Sequence, residues 1–170
     1  DRIWEETHLA LYENNFAWNA NKRIKKVNVK FMNSNLLTSA QNSKQGVLLL
    51  FRHNVFLELS ARLLSERFEI YGMERPNNSA LIQKLQQRGR LKGMKGLIAN
   101  SNVKECMSLL KQGKIILYGP DQDYRNKSSV VSTFFSQNCL TTTAPYRIKK
   151  ITGCNLMYVD SVRKEDTYLF

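Results

Sequence analysis

Strands and helices that alternate along the whole chain predict an α/β fold, with a central, mostly parallel sheet flanked by helices. Two short apolar runs carry that reading, Val47–Phe51 and Ile115–Tyr118. The same tripeptide precedes each, Lys44-Gln45-Gly46 and Lys111-Gln112-Gly113. Each reads as a helix ending, a glycine stop and a buried strand. Ligands in open α/β sheets bind beyond the carboxyl ends of the strands. These two strands end on polar residues, Arg52-His53 and Pro120-Asp121-Gln122-Asp123, so both motifs are expected on one rim.

The remaining elements follow in order. Ile3, Trp4, Leu11 and Trp18 fall near one face of a helix over roughly residues 2–19. Val27, Val29 and Phe31 alternate as in a half-exposed strand, and residues from about 34 to 43 read as a helix ending before Gly46. Val55–Glu66 reads as a helix and Phe68–Tyr71 as a short strand. Asn78 or Ser79 can cap a helix reaching about Arg88. Asn102-Val103-Lys104-Glu105 has the spacing of a capping box, for a helix stopped by Gly113. Val130–Phe135 reads as strand, Thr142 to Gly153 as helix, and Leu156–Val162 and Tyr168–Phe170 as strands.

A length of 170 residues suits one domain, 1–170, with a sizeable core. The apolar runs are far too short to span a membrane, and nothing at the start reads as a signal peptide. A first residue other than Met suggests a piece of a longer protein. Lys and Arg outnumber Asp and Glu by 26 to 14, a net charge of +12. Such a field attracts nucleic acid, anionic lipid headgroups, phosphorylated substrates or acidic proteins. The aromatic signatures of RNA-binding modules and zinc-finger spacings are absent. Cys106, Cys139 and Cys154 are odd in number, far apart and lack a C-x-x-C, which reads as reduced and mostly buried.

His53 and Glu58 stand where an apolar strand gives way to a helix. Five residues turn an α-helix about 140° past a full turn, so the two cannot share a helical face. They can meet if the helix begins between them. With Asn54 as N-cap, His53 and Glu58 occupy the positions that touch in a hydrophobic staple. An imidazole held by a carboxylate there is a candidate general base. The plainer alternative is Glu58 paired with Arg62 four residues on, and an idle histidine.

Other motifs point to the same rim. Arg75-Pro76-Asn77-Asn78 follows a strand, and Arg75 would bind a phosphate or oxyanion there, with Asn77 beside it. Arg88-Gly89-Arg90-Leu91-Lys92-Gly93-Met94-Lys95-Gly96 reads as a basic, glycine-rich loop that could clamp phosphates or meet an acidic partner. Asp121 and Asp123 are too few for a metal site by themselves and more readily organise their loop. His8 has no partner nearby and reads as structural.

Taken together, these segments resemble the late acyltransferases of lipid A biosynthesis, the lauroyl and myristoyl transferase family of Gram-negative bacteria. The blocks that carry the resemblance are Gly46-Val47-Leu48-Leu49-Leu50, His53-x4-Glu58-Leu59 with Ala61-Arg62, Arg75-Pro76-Asn77-Asn78, Gly89-Arg90, Pro120-Asp121-Gln122-Asp123-Tyr124, Thr141-Thr142-Thr143 and Arg147 through Thr152-Gly153. They span the chain in the family's order. Arg125 stands where the family usually has glycine, and Ser132-Thr133 replaces its Val-Pro before Phe134-Phe135. Arg52 and Asn54 replace the apolar flanks of its histidine. The E-G-T-R block of the related phospholipid acyltransferases is absent.

The resemblance implies the glycerolipid acyltransferase sandwich, with His53 and Glu58 as catalytic dyad. It implies a protein nearly twice this length, with a membrane anchor, working at the cytoplasmic face of the bacterial inner membrane. The acyl donor would be acyl carrier protein and the acceptor a phosphorylated lipid A precursor, with no metal or redox cofactor. Arg75, Asn77, Arg88, Arg90, Asp121 and Asp123 are then the substrate-contact candidates. The rival from another class is a non-catalytic basic module for nucleic acid or anionic lipid, which explains the charge but not the His/Glu spacing.

Overall fold

The two strands preceded by Lys-Gln-Gly lie side by side, and their entries lock together. In the computed structural model, which describes residues 2–122 and 129–170, an added Cβ on Gly46 would fall 2.0 Å from the carbonyl oxygen of Leu110. One on Gly113, where φ is +78°, would fall 2.4 Å from that of Lys44. The repeated glycine is thus where two helix ends cross at van der Waals distance. Val47 N–H donates to Lys114 O across the same junction.

In chain order the elements begin with α1 (Arg2–Asn19), β1 (Asn28–Lys30), α2 (Asn35–Asn42), β2 (Val47–Leu50) and α3 (Leu57–Ser65). Next come β3 (Ile70–Glu74), α4 (Ala80–Arg90), β4 (Gly96–Ala99), α5 (Val103–Lys111) and β5 (Ile115–Tyr118). The chain continues through β6 (Ser129–Phe134), β7 (Gln137–Thr142), α6 (Ala144–Thr152), β8 (Asn155–Tyr158), β9 (Val162–Lys164) and β10 (Thr167–Leu169). The main sheet has the order β4-β3-β5-β2-β8 and is parallel throughout. A small sheet, β1-β10-β9, pairs residues 28–30 in parallel with 167–169. An antiparallel hairpin, β6-β7, stands apart.

Strands covered on both faces read as continuous apolar runs, as parallel sheets require. Val47, Leu49, Ile115 and Leu117 point into a core with Leu37, Ala61 and Leu64 from α2 and α3. Leu48, Ile116 and Tyr118 point the other way, against Cys106 and Leu110 of α5 and Ile148 of α6. After β2 the chain therefore leaves for one face, and after β5 it eventually reaches the other. Adjacent strands whose connections part in this way open a crevice at their carboxyl ends. Within the cores Cys106 and Cys154 are buried free thiols, and burial pushes the Cys106 thiol up to about 11.

Several helix ends follow their sequence signals. Ser79 Oγ accepts from Ile82 N–H at the start of α4. Asn102 Oδ1 accepts from Glu105 N–H, while Asn102 Nδ2 donates to Glu105 Oε2 at the start of α5. Gly153, with φ of +71°, stops α6.

Four expectations need correction. α1 buries Ala10, Glu13 and Ala17, while Ile3, Trp4 and Leu11 face outward. Small residues let α1 lie close to α3, and Glu13 is tolerated because Arg163 and Tyr168 both donate to it. Residues 88–96 form no free basic loop: α4 runs to Arg90 and β4 starts at Gly96. Thr142 belongs to strand β7, not to the helix that follows. Asn54 does not cap α3, whose N-cap position is Phe56 without a side-chain bond.

Gly46→Ala is expected to destabilise the fold by about 1–3 kcal/mol or more, the usual scale of overpacking, because the obstruction is backbone and cannot swing away. Thermal unfolding checks it, and an unchanged Tm would mean that the two strand entries can separate without cost.

Candidate functional site

A cavity of about 350 Å³ opens at the carboxyl ends of β2, β3, β4 and β5. Its deeper wall is apolar, with Leu57, Ala61, Met94, Leu97 and Leu117. Its mouth carries His53, Arg75, Asn100 and Gln122, and its flank Glu58, Glu74 and Arg90. Apolar depth with a few converging polar groups is the usual build of a small-ligand site.

His53 is placed by the loop after β2, which is tied down on both sides. Arg52 Nε donates to Asp160 Oδ1 at 2.8 Å, and Asn54 Nδ2 donates to Ser161 Oγ at 2.9 Å. Ser60 Oγ of α3 donates to the same Ser161 hydroxyl. Asn54 is thus tied through Nδ2 to the turn before β9, while its Oδ1 makes no bond among the described residues. Across the β2/β5 boundary, Asp121 takes two bonds from His53. The backbone N–H of His53 donates to Oδ2 at 2.7 Å, and Nδ1 lies 2.6 Å from Oδ1.

A carboxylate only accepts, so Nδ1 carries the hydrogen and Nε2 keeps its lone pair. That is the tautomer a general base needs. Gly119 permits the arrangement: a Cβ there would come 2.9 Å from His53 Cε1 and from Phe51 Cζ. Partial burial pushes the Asp121 carboxyl up, but the backbone N–H and imidazole of His53 outweigh it, and the group titrates below its ordinary range.

Glu58 does not hold the histidine. The staple contact is not made, because α3 begins at Leu57, two residues later than the expected cap allows. Glu58 turns instead to Arg90, whose Nη2 donates to Oε1 at 2.5 Å, and to Trp18, whose indole N–H donates to Oε2 at 2.8 Å. Nor does Glu58 pair with Arg62, which binds Glu66 four residues on. Arg90 Nη1 donates to Glu74 Oε2 at 2.7 Å, and Gln83 and Gln87 both donate to Glu74 Oε1. Burial pulls the Arg90 guanidinium down, but bonds and charge from Glu58 and Glu74 more than compensate and raise it. One guanidinium serves two carboxylates, and Arg75 beside Glu74 brings a second cation to the same cavity.

The other candidates sort by this geometry. Arg75 is exposed at the mouth. Asn77 builds the turn before α4: its Oδ1 accepts from Ser79 N–H, and its own N–H donates to Gln83 Oε1. Arg88 is exposed and does not line the cavity. Arg90 is buried in its ion pairs rather than free to clamp a ligand, and Gly89 lets α4 press against the Trp18 ring. Asp123 lies outside the described residues. His8 bonds the Trp4 carbonyl one turn back in α1. Glu74, Trp18 and Gly119 were not read as site residues from the sequence. An acid inside an otherwise apolar strand, Glu74 in Ile70–Glu74, was the available signal.

The model of the bacterial lipid A biosynthesis acyltransferase family matches residues 1–170. This chain belongs to that family. It is 32% identical over 161 residues to the lipid A biosynthesis palmitoleoyltransferase of Escherichia coli K12, covering 93% of this chain and 52% of that protein. With the lauroyltransferase of the same organism it shares 32% over 165 residues, covering 96% and 54%. An acyltransferase of Haemophilus influenzae is 30% identical over 161 residues, covering 93% and 51%. The chain spans about half the length of the curated relatives it matches. The parallel sheet flanked by helices is the α/β arrangement the sequence implied. Among the described residues, no helix is long and apolar enough to cross a membrane.

Two outcomes test the geometry. Arg90→Met takes the shared cation from buried Glu74 and half-buried Glu58, leaving them only their neutral donors, and is expected to cost about 3 kcal/mol, the low end for removing one partner of a buried pair. A Tm close to that of the parent would show Glu58 and Glu74 to be satisfied otherwise. Because the folded Asp121 carboxyl is depressed, its contribution is present above the unfolded value near 3.8 and lost as pH falls through the lower folded one. Asp121→Asn should therefore lag the parent in stability at neutral pH and converge with it in acid, as read by denaturant unfolding at several pH values.

Proposed function

We propose that this chain carries the acyl-transfer centre of a lipid A biosynthesis acyltransferase, with His53 as general base. The observation that carries this is the imidazole at the cavity mouth, held through Nδ1 by Asp121. An acceptor hydroxyl is a poor nucleophile at neutral pH, so its proton must leave as it attacks. His53 Nε2 accepts that proton while the oxygen adds to the thioester carbonyl of the donor. The tetrahedral intermediate then expels the thiolate, which takes the proton back from His53. A C–O bond forms, a C–S bond breaks, and the histidine ends as it began.

Asp121 holds the tautomer and faces the imidazolium formed during transfer. The apolar wall from Leu57 to Leu117 suits the acyl chain, and exposed Arg75 suits an oxyanion or phosphate at the mouth. The donor in this reading is acyl carrier protein, whose acidic surface fits a chain of net charge +12. The acceptor is the hydroxyl of a 3-hydroxyacyl chain on a phosphorylated lipid A precursor. The setting is the cytoplasmic face of the inner membrane.

His53→Ala is expected to lower acyl transfer by about 10²-fold or more, with little change in Tm. Transfer from acylated carrier protein to a lipid A precursor, followed by mass spectrometry, measures it. Near-parental turnover would remove His53 from the base role. Gly119→Ala should act through the same ring: its methyl displaces the imidazole, and misplacement on that scale costs about 10²-fold in turnover. Single-turnover rates would report it. A full rate in Gly119→Ala would mean the ring position seen here is not the working one.

A further inference from the structure

The β6-β7 hairpin has no evident reason to stand where it does. Its strands of six residues each reach roughly 20 Å at about 3.3 Å per residue. Among the described residues neither strand packs substantially on another helix or strand of the fold. An isolated two-stranded hairpin is marginal in water, yet this one exposes Val130, Val131, Phe134 and Phe135, the last at 86%. Its composition is equally unusual for so basic a chain. No charged residue occurs between Lys127 and Arg147.

The turn is strained in the same direction. Phe134 pairs with Gln137, so Phe135 and Ser136 form a two-residue loop, with φ of +48° and +61°. Positive φ at both positions ordinarily selects Asn-Gly or Asp-Gly, and a bulky aromatic there is an outlier. The sequence accepts a poor turn residue to place two phenyl rings, packed edge to face, at the tip. Directly after β7, α6 exposes Tyr146, and one turn on Lys149 and Lys150 are exposed as well. Apolar tip, uncharged shaft, then an aromatic and cations at the base is the layering that matches acyl chains, interface and anionic headgroups.

We propose that the β6-β7 hairpin is a membrane wedge, with Phe134 and Phe135 inserted among lipid chains and Lys149 and Lys150 resting on anionic headgroups. It rests on the acyl-transfer reading only for its purpose, which is to hold an enzyme of lipid substrates at the bilayer. The occupant is the bilayer itself, not the acceptor alone.

An indole at the tip tests this without donor, acceptor or catalysis. Phe135→Trp is made in a Trp4→Phe background; Trp18 remains as a fixed signal because its indole bonds Glu58. Phosphatidylglycerol vesicles with brominated chains should shift the added emission to the blue and quench it. Emission that stays at its aqueous wavelength with vesicles overturns the wedge. So does emission already blue-shifted without lipid, which would mean that protein covers the tip. Phe135→Asn is the companion variant, since asparagine suits the turn. It should keep or raise Tm while weakening vesicle binding about ten- to a hundredfold, the worth of one buried phenyl ring, and unchanged binding overturns the proposal. Loss of transfer in His53→Ala bears on the chemistry and leaves this outcome untouched.

Discussion

The Arg90 guanidinium is the tie on which the site depends. It bonds Glu58 from α3 and Glu74 from β3 while belonging to α4 itself, and Trp18 brings α1 to the same carboxylate. Four elements that share no hydrogen-bond ladder at that point are thereby held around one cavity. A buried arrangement of this kind is poor as a source of stability, because desolvation consumes most of the attraction. Its value lies in geometry. Each polar atom fixes another, so the cavity flank has one arrangement rather than several.

The chemistry sits one strand away from that tie, where β2 and β5 meet. Their outgoing chains part toward opposite faces, leaving His53 and Asp121 to approach across a gap with only Gly119 between ring and backbone. Asp121, which holds the imidazole, therefore comes from a different βα unit than His53 does. The two residues are thus brought together by neighbouring strands that pair with each other and share both cores.

Much of the fold was legible because parallel strands buried on both faces leave an unmistakable trace in Val47–Leu50 and Ile115–Tyr118. The shared Lys-Gln-Gly prefix even marked the place where their entries touch. β4 was not legible, since Gly96-Leu97-Ile98-Ala99 is short and follows a basic run that hides it. Glycines that look permissive in sequence are here points of close approach, and only the neighbour they admit distinguishes the two. At the site, His53, Glu58, Asp121 and Arg75 were found by residue type and by their place after strands. Their partners were not, because pairing depends on where α3 starts. Asn54 satisfies every local rule for a cap, but its Nδ2 is drawn to Ser161, more than a hundred residues away, and Oδ1, the atom a cap would use, makes no bond among the described residues.

The pairing of β1 with β10 has a consequence for the order of folding. Among the described residues, 28–30 find their only ladder partner at 167–169, and Ile24 and Ala17 complete their core with Tyr168. During synthesis the early part of the chain can form helices, but it cannot settle until residues 167–169 have been made. Contacts of such long sequence separation form slowly. The apolar face that Tyr168 will cover stays open meanwhile, so this corner, and not the parallel sheet, sets how long the nascent chain is exposed to misassociation.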